Sequence, residues 1–195
     1  MRVLLGAAVA VVALVAGCTS ASEEPTEAPP TAAVDAEETL PDSCDGLLSP
    51  LTVARVLERE LAGGRSARYL PPEPREGLVD GMVCEYGVGA DGAALSVSAA
   101  TYRNEQAARV QLRRVTGPGA LDDASAVVDE VEALGLRGTV VDSSAGSAYY
   151  ARDGQLTIMV GVRAGELPVG SVRNFLFDIG SAVVRGLETG RGTGQ

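Results

Sequence analysis

Hydrophobic positions in this chain change period several times, and each change marks an element. A continuous apolar run, Val3 to Val15, comes first. Further on, Leu51, Ala54, Leu57 and Leu61 recur at helical spacing behind Ser49-Pro50, where Ser49 can cap and Pro50 suits the first helical position; Gly63-Gly64 end this helix. Residues 65–80 contain Pro71, Pro72 and Pro74 and read as loop. Met82–Val88 and Ala93–Thr101 then flank Asp91-Gly92 as a hairpin. Taken literally, that turn pairs Val88 with Leu95, Tyr86 with Val97 and Cys84 with Ala99. One face then carries Cys84, Tyr86, Val88, Leu95 and Val97, the other Glu85, Ser96, Ser98 and Tyr102.

A second helix starts at Asn104, with Glu105 in its first turn and Arg113 and Arg114 in its last, charges that suit the helix dipole. Ala108, Leu112 and Val115 form its apolar stripe, and Gly117-Pro118-Gly119 stop it. Residues 124–134 predict a shorter helix through Val127, Val128, Val131 and Leu134, followed by a strand from Thr139 to Asp142. Ser147–Arg152 and Gln155–Arg163 around Asp153-Gly154 form a second hairpin, in which Leu156, Ile158, Val160 and Val162 alternate with Gln155, Thr157, Met159 and Gly161. Its register sets Tyr149 opposite Ile158, facing the core, and Tyr150 opposite Thr157, facing out. The last helix, about Pro168 to Leu187, carries Val172, Phe175, Leu176, Ile179, Val183 and Leu187 on one stripe. Gly180 and Gly186 inside it each cost about 1 kcal/mol against Ala, which close contact with the sheet would explain. The pattern predicts an α+β fold over residues 42–187: an antiparallel sheet built from two hairpins, with about three helices packed on one face and a frayed tail over 188–195.

Charge and composition narrow the setting. The chain carries net charge −10, and all 16 basic residues are Arg; there is no Lys, His or Trp. With abundant Ala, Gly and Val, this composition points to a high-GC, actinobacterial source. Glu23, Glu24, Glu27, Asp35, Glu37 and Glu38, with Pro25, Pro29, Pro30 and Pro41, make 19–41 an acidic stretch without a basic residue, which predicts a disordered tether. The acidic balance offers no footprint for nucleic acid. Missing His and Lys remove the common nucleophile–base pairs, and no zinc, phosphate-loop or dinucleotide motif is present. Asp122-Asp123 and Asp129-Glu130-Glu132 are dense acidic runs that read as solvated surface. No enzymatic activity, cofactor or metal is expected.

The N-terminus adds an anchor. Arg2, the apolar run and then Val15-Ala16-Gly17-Cys18 have the layout of a secretory signal and resemble the bacterial lipobox. That resemblance implies cleavage after residue 17, lipidation of Cys18, and a membrane partner reached through the lipid on the outer face of the cytoplasmic membrane; an ordinary signal peptide with an incidental cysteine is the alternative. Cys44 and Cys84 remain, and an exported pair of this kind usually forms a disulfide rather than two free buried thiols.

Ser43-Cys44-Asp45-Gly46-Leu47-Leu48-Ser49-Pro50, an amphipathic helix, and Cys84-Glu85-Tyr86 opening a hairpin together resemble small actinobacterial envelope lipoproteins with a two-cysteine domain of unknown function. They are more distantly similar to the extracellular sensor domains of mycobacterial receptor kinases. The resemblance implies location and fold and carries no catalytic residues; Tyr86 stands where that family commonly has Trp. What remains for function is a sheet face carrying Glu85, Tyr102, Tyr150, Met159 and Arg163, since Tyr and Arg are enriched where partners bind. The expected role is a lipid-anchored, non-catalytic binding module for an envelope protein, glycan or lipid. The alternative is a lipid or glycolipid carrier with a cleft between sheet and helices.

Overall fold

The structure is a computed structural model, and it describes residues 40–117, 121 and 123–192. The signal segment, Cys18, nearly all of the acidic stretch and residues 193–195 lie outside the described residues. The elements are helices α1 (Cys44–Leu47) and α2 (Pro50–Leu57), strands β1 (Gly64–Leu70), β2 (Leu78–Val88) and β3 (Leu95–Tyr102), helix α3 (Glu105–Thr116), strands β4 (Val127–Ala133), β5 (Leu136–Ser143), β6 (Gly146–Asp153) and β7 (Leu156–Arg163), and helix α4 (Val172–Gly192). The strands form one seven-stranded sheet in the order β1-β2-β3-β7-β6-β5-β4. All neighbours in it are antiparallel.

The caps are those the sequence offers. Ser49 accepts from the Thr52 amide ahead of Pro50, and Asn104 accepts from the Ala107 amide at the start of α3. Two expected elements change. Residues 65–70, read as loop, form β1, and the prolines begin only after the strand ends at Leu70. Residues 127–133, read as helix, form β4. The reason is the turn that follows: Leu134 (φ 61°) and Gly135 (φ 73°) both sit in the left-handed region between paired Ala133 and Leu136. That is the two-residue hairpin turn whose twist matches antiparallel strands. The sheet is thus larger than two hairpins, and α4 runs on through residues expected to fray, to Gly192.

Both expected hairpins exist, each slid by two residues. Cys84 pairs with Val97 and Tyr86 with Leu95; Tyr149 pairs with Val160 and Tyr150 with Met159. A slip of two keeps every side chain on its face, whereas a slip of one would invert them. In the first hairpin, Gly89 and Gly92 exchange hydrogen bonds around Ala90-Asp91, and Ala94 donates to both Tyr86 O and Gly87 O at a bulge. In the second, Gly154 (φ 55°) takes the first central position instead of the second.

The main core lies between the sheet and α1, α2 and α4. Cys84, Val97, Val160, Tyr149 and Val140 cross the sheet on this face and meet Phe175, Leu176, Ile179 and Val183 of α4. Gly180 and Gly186 of α4 permit close approach. A Cβ on Gly180 would stand 3.5 Å from the Tyr149 ring, and one on Gly186 would stand 2.6 Å from the Leu47 carbonyl oxygen of α1. Helix α3 packs on the opposite face, over β6, β3 and β7, with Ala108 against Ala100 and Tyr102. The expectation of helices on one face therefore fails for α3, and the fold has helices on both sides of the sheet.

Tyr86 fixes the chain between α1 and α2. Its hydroxyl donates to the Leu48 carbonyl. Burial, reinforced by the nearby Asp45 carboxylate, pushes the phenol from 10.0 up to about 12. A phenol held neutral in the folded state contributes stability that is complete below its unfolded value and is lost as pH rises toward its folded one. Tyr86→Phe should cost about 1 kcal/mol at neutral pH. It should also remove this group's share of the stability lost between about pH 10 and 12; denaturant titrations across that range check both.

Candidate interaction face

The second face of the sheet is built by alternation, since residues two apart on a strand share it. Register places Val83, Ser98, Met159, Tyr150 and Thr139 in one row across β2, β3, β7, β6 and β5. All five are half-buried. Tyr150 and Met159 are direct cross-strand neighbours at the middle of this row, and burial pushes the Tyr150 phenol up. A parallel row of small side chains, Ser96, Gly161 and Ala148, runs beside it. The result is a shallow band with one aromatic ring and one thioether raised among hydroxyls and short aliphatics.

The other expected members share this face but stand away from the centre of the band. Tyr102 is 6% exposed, sealed beneath α3, so it is a packing residue and cannot meet a partner. Arg163 sits at the far end of β7. Its Nε and Nη2 donate to the Glu166 carboxylate at 3.2 and 2.5 Å, and its Nη1 donates to Gly92 O at 3.3 Å. The same guanidinium, with that of Arg59, holds the Glu166 carboxyl below the usual range. Arg163 thereby ties the β2–β3 turn to the loop before α4. Glu85, near the β1 edge, accepts from Ser66 Oγ at 2.5 Å. Of the five expected residues the structure brings together Tyr150 and Met159. Val83 and Thr139 were missed, although the alternation of β2 and β5 would have found them.

Cys44 and Cys84 form a disulfide with Cα atoms 5.6 Å apart. It joins the first residue of α1 to the centre of β2 on the core face. Below α4 the enclosed space amounts to about 30 Å³, lined by Leu136, Leu156, Ile158, Val184 and Leu187 among others. Larger spaces open at the surface: about 520 Å³ between the end of α3 and β4–β5, and about 630 Å³ at the end of the sheet beside the start of α4. Among the described residues no group of His, Cys, Asp and Glu could hold a metal ion, and no helix is long and apolar enough to cross a membrane.

Asp123 fixes the segment that leads into β4. Its carboxylate accepts from the Ser125 hydroxyl and amide and from the Ser144 amide, which together hold it well below the usual carboxylate range. The segment entering β4 is thus fastened to the β5–β6 turn. The Asp123 carboxylate acts locally, as a loop clamp.

No family model matches the chain, and no curated protein sequence matches it significantly. Among solved structures it is similar to the crystal structure of the extracellular domain of PknH from Mycobacterium tuberculosis. The two share 10% identity with a TM-score of 0.45, over 74% of this chain and 93% of that one. This is the distant resemblance that the cysteine-bearing segments pointed to.

Proposed function

We propose that the chain is a lipid-anchored, non-catalytic module that binds an envelope component outside the cytoplasmic membrane. The observation that carries the reading is the half-buried band in which Tyr150 and Met159 stand side by side, on the face opposite the main core. A rigid aromatic ring on a sheet scaffold is a good anchor for a partner, because little conformational entropy is lost on binding. The disulfide supports an exported domain, since such bonds persist in oxidising compartments. Without His or Lys, the chain lacks the groups that most often activate a nucleophile. The carrier alternative has less support: the space below α4 is about 30 Å³, too small for an acyl chain, and the spaces of about 520 and 630 Å³ are open at the surface.

Two outcomes test the proposal. Tyr150→Ala should weaken recovery of the partner by roughly 5- to 30-fold in crosslinking on intact envelopes, the loss of an anchor worth about 1–2 kcal/mol. Its effect on stability should be small beside that of Tyr149→Ala. Equal recovery by wild type and variant would remove the band from the proposal. Cys18→Ala should abolish incorporation of a labelled fatty acid and leave the chain uncleaved; undiminished label would end the lipid-anchor reading.

A further inference from the structure

Helix α3 concentrates positive charge in a chain that is otherwise acidic. Ala108 is fully buried against the sheet. On the side of the helix away from it, Gln106, Arg109, Val110, Arg113 and Arg114 are exposed, and so is Arg103 just ahead of the cap. The one acid in this segment, Glu105, takes Arg109 and Arg152 together, and Glu76 takes Arg114. Arg103 and Arg113 have no ion-pair partner among the described residues. Val110, 43% exposed, sits in the middle of the stripe. Residues 103–116 thus carry four Arg and one Glu, against a net charge of −10 for the whole chain.

We propose that this outer face of α3 docks on an anionic phospholipid surface, the bilayer to which the chain is attached. The inference rests on the anchoring reading above. Charge complementarity selects the occupant: guanidinium groups pair with phosphate oxygens, their stems lie along the interface, and the exposed Val110 reaches the headgroup boundary. Each basic residue near an anionic leaflet contributes roughly fivefold to binding. A net excess of about three therefore gives on the order of a hundredfold, too weak to hold a free domain but enough once attachment supplies a high effective concentration. Docking by α3, which packs over β6, β3 and β7, places the second face of the sheet toward the membrane side and leaves α4 and the main core turned outward.

The chain contains no Trp, so Val110→Trp introduces a single indole at the centre of the stripe. The full chain, carrying this substitution, is reconstituted into vesicles of phosphatidylcholine and into vesicles of phosphatidylcholine mixed with phosphatidylglycerol. Either the acylated Cys18 or the uncleaved apolar leader holds it at the surface. Failure of the docking is thereby separated from failure of the lipidation reading, which mass measurement of Cys18 decides independently. The expected result is blue-shifted emission and quenching by headgroup-nitroxide lipid in the anionic vesicles alone. Raised salt should reverse both, because exposed charges are screened. Adding Arg109→Gln and Arg113→Gln should abolish both while circular dichroism stays unchanged. Identical emission in the two kinds of vesicle, or quenching that survives the Arg substitutions, would overturn the proposal.

Discussion

Tyr149→Ala is expected to destabilise the domain by about 3–5 kcal/mol, the range for truncating a buried aromatic side chain. Tyr149 is 0% exposed and lies at the centre of the main core. Its ring meets Phe177 edge-on, with centroids 5.3 Å apart, a geometry that adds to simple burial. The cavity left behind cannot close easily. On the sheet side the ring lies against Gly138, where an added Cβ would come within 2.5 Å of it, and on the helix side it lies beside Gly180. Both glycines are there because the ring occupies the space their side chains would need. With roughly 2–4 °C of melting temperature per kcal/mol in a domain of this size, the drop should be on the order of 10 °C. Tyr150, its neighbour on the other face, should lose far less. If Tyr150→Ala melts early while Tyr149→Ala does not, the register is inverted and the proposed band is core.

Much of this arrangement is legible in the sequence because period-2 alternation fixes faces more firmly than it fixes pairs. Both hairpins are displaced by two residues from the pairing their Asp-Gly turns imply, yet Cys84, Tyr86 and Tyr149 still face the core. What the pattern could not give has physical reasons. β1 is an edge strand with six exposed positions out of seven, so its residues show no buried alternation and the nearby prolines dominated. In β4, Val127, Val128 and Val131 fit a helix as well as a strand. Only the left-handed pair Leu134-Gly135 decides it, and a Leu at positive φ is not something a sequence advertises.

The site was less legible for a related reason. An amphipathic stripe says that a helix is covered on one side, and says nothing about which face of a sheet covers it. With α3 expected beside the other helices, Tyr102 is expected to be exposed, whereas α3 crosses to the second face and buries it. Arg163 illustrates a different limit. Its position on the strand was right, but its guanidinium is committed to Glu166 and Gly92, contacts formed by loops distant in sequence.

Removing the disulfide is the other change with a large expected effect. Cys44 and Cys84 lie 40 residues apart, and closing a loop of that length stabilises by about 4 kcal/mol in the chain-entropy account. The local structure accounts for the full effect. α1 is one turn long and has little helical stability of its own. It is held by the disulfide, by burial of Leu47 and Leu48, and by backbone contact with Gly186 of α4. The double variant Cys44→Ala/Cys84→Ala should therefore lose about 4 kcal/mol in denaturant titration. Reduction of the wild-type chain should reproduce that loss. Cys84→Ser alone should be worse than Cys44→Ser alone, because Cys84 is fully buried and its replacement hydroxyl would have to find a partner in an apolar core, while Cys44 is only half-buried. A thiol assay on denatured, unlipidated full chain gives the independent check: with 3 cysteines in the sequence, one free thiol, that of Cys18, is expected. Finding all three free, or a double variant as stable as the wild type, would show that this bond does not hold α1 to the sheet.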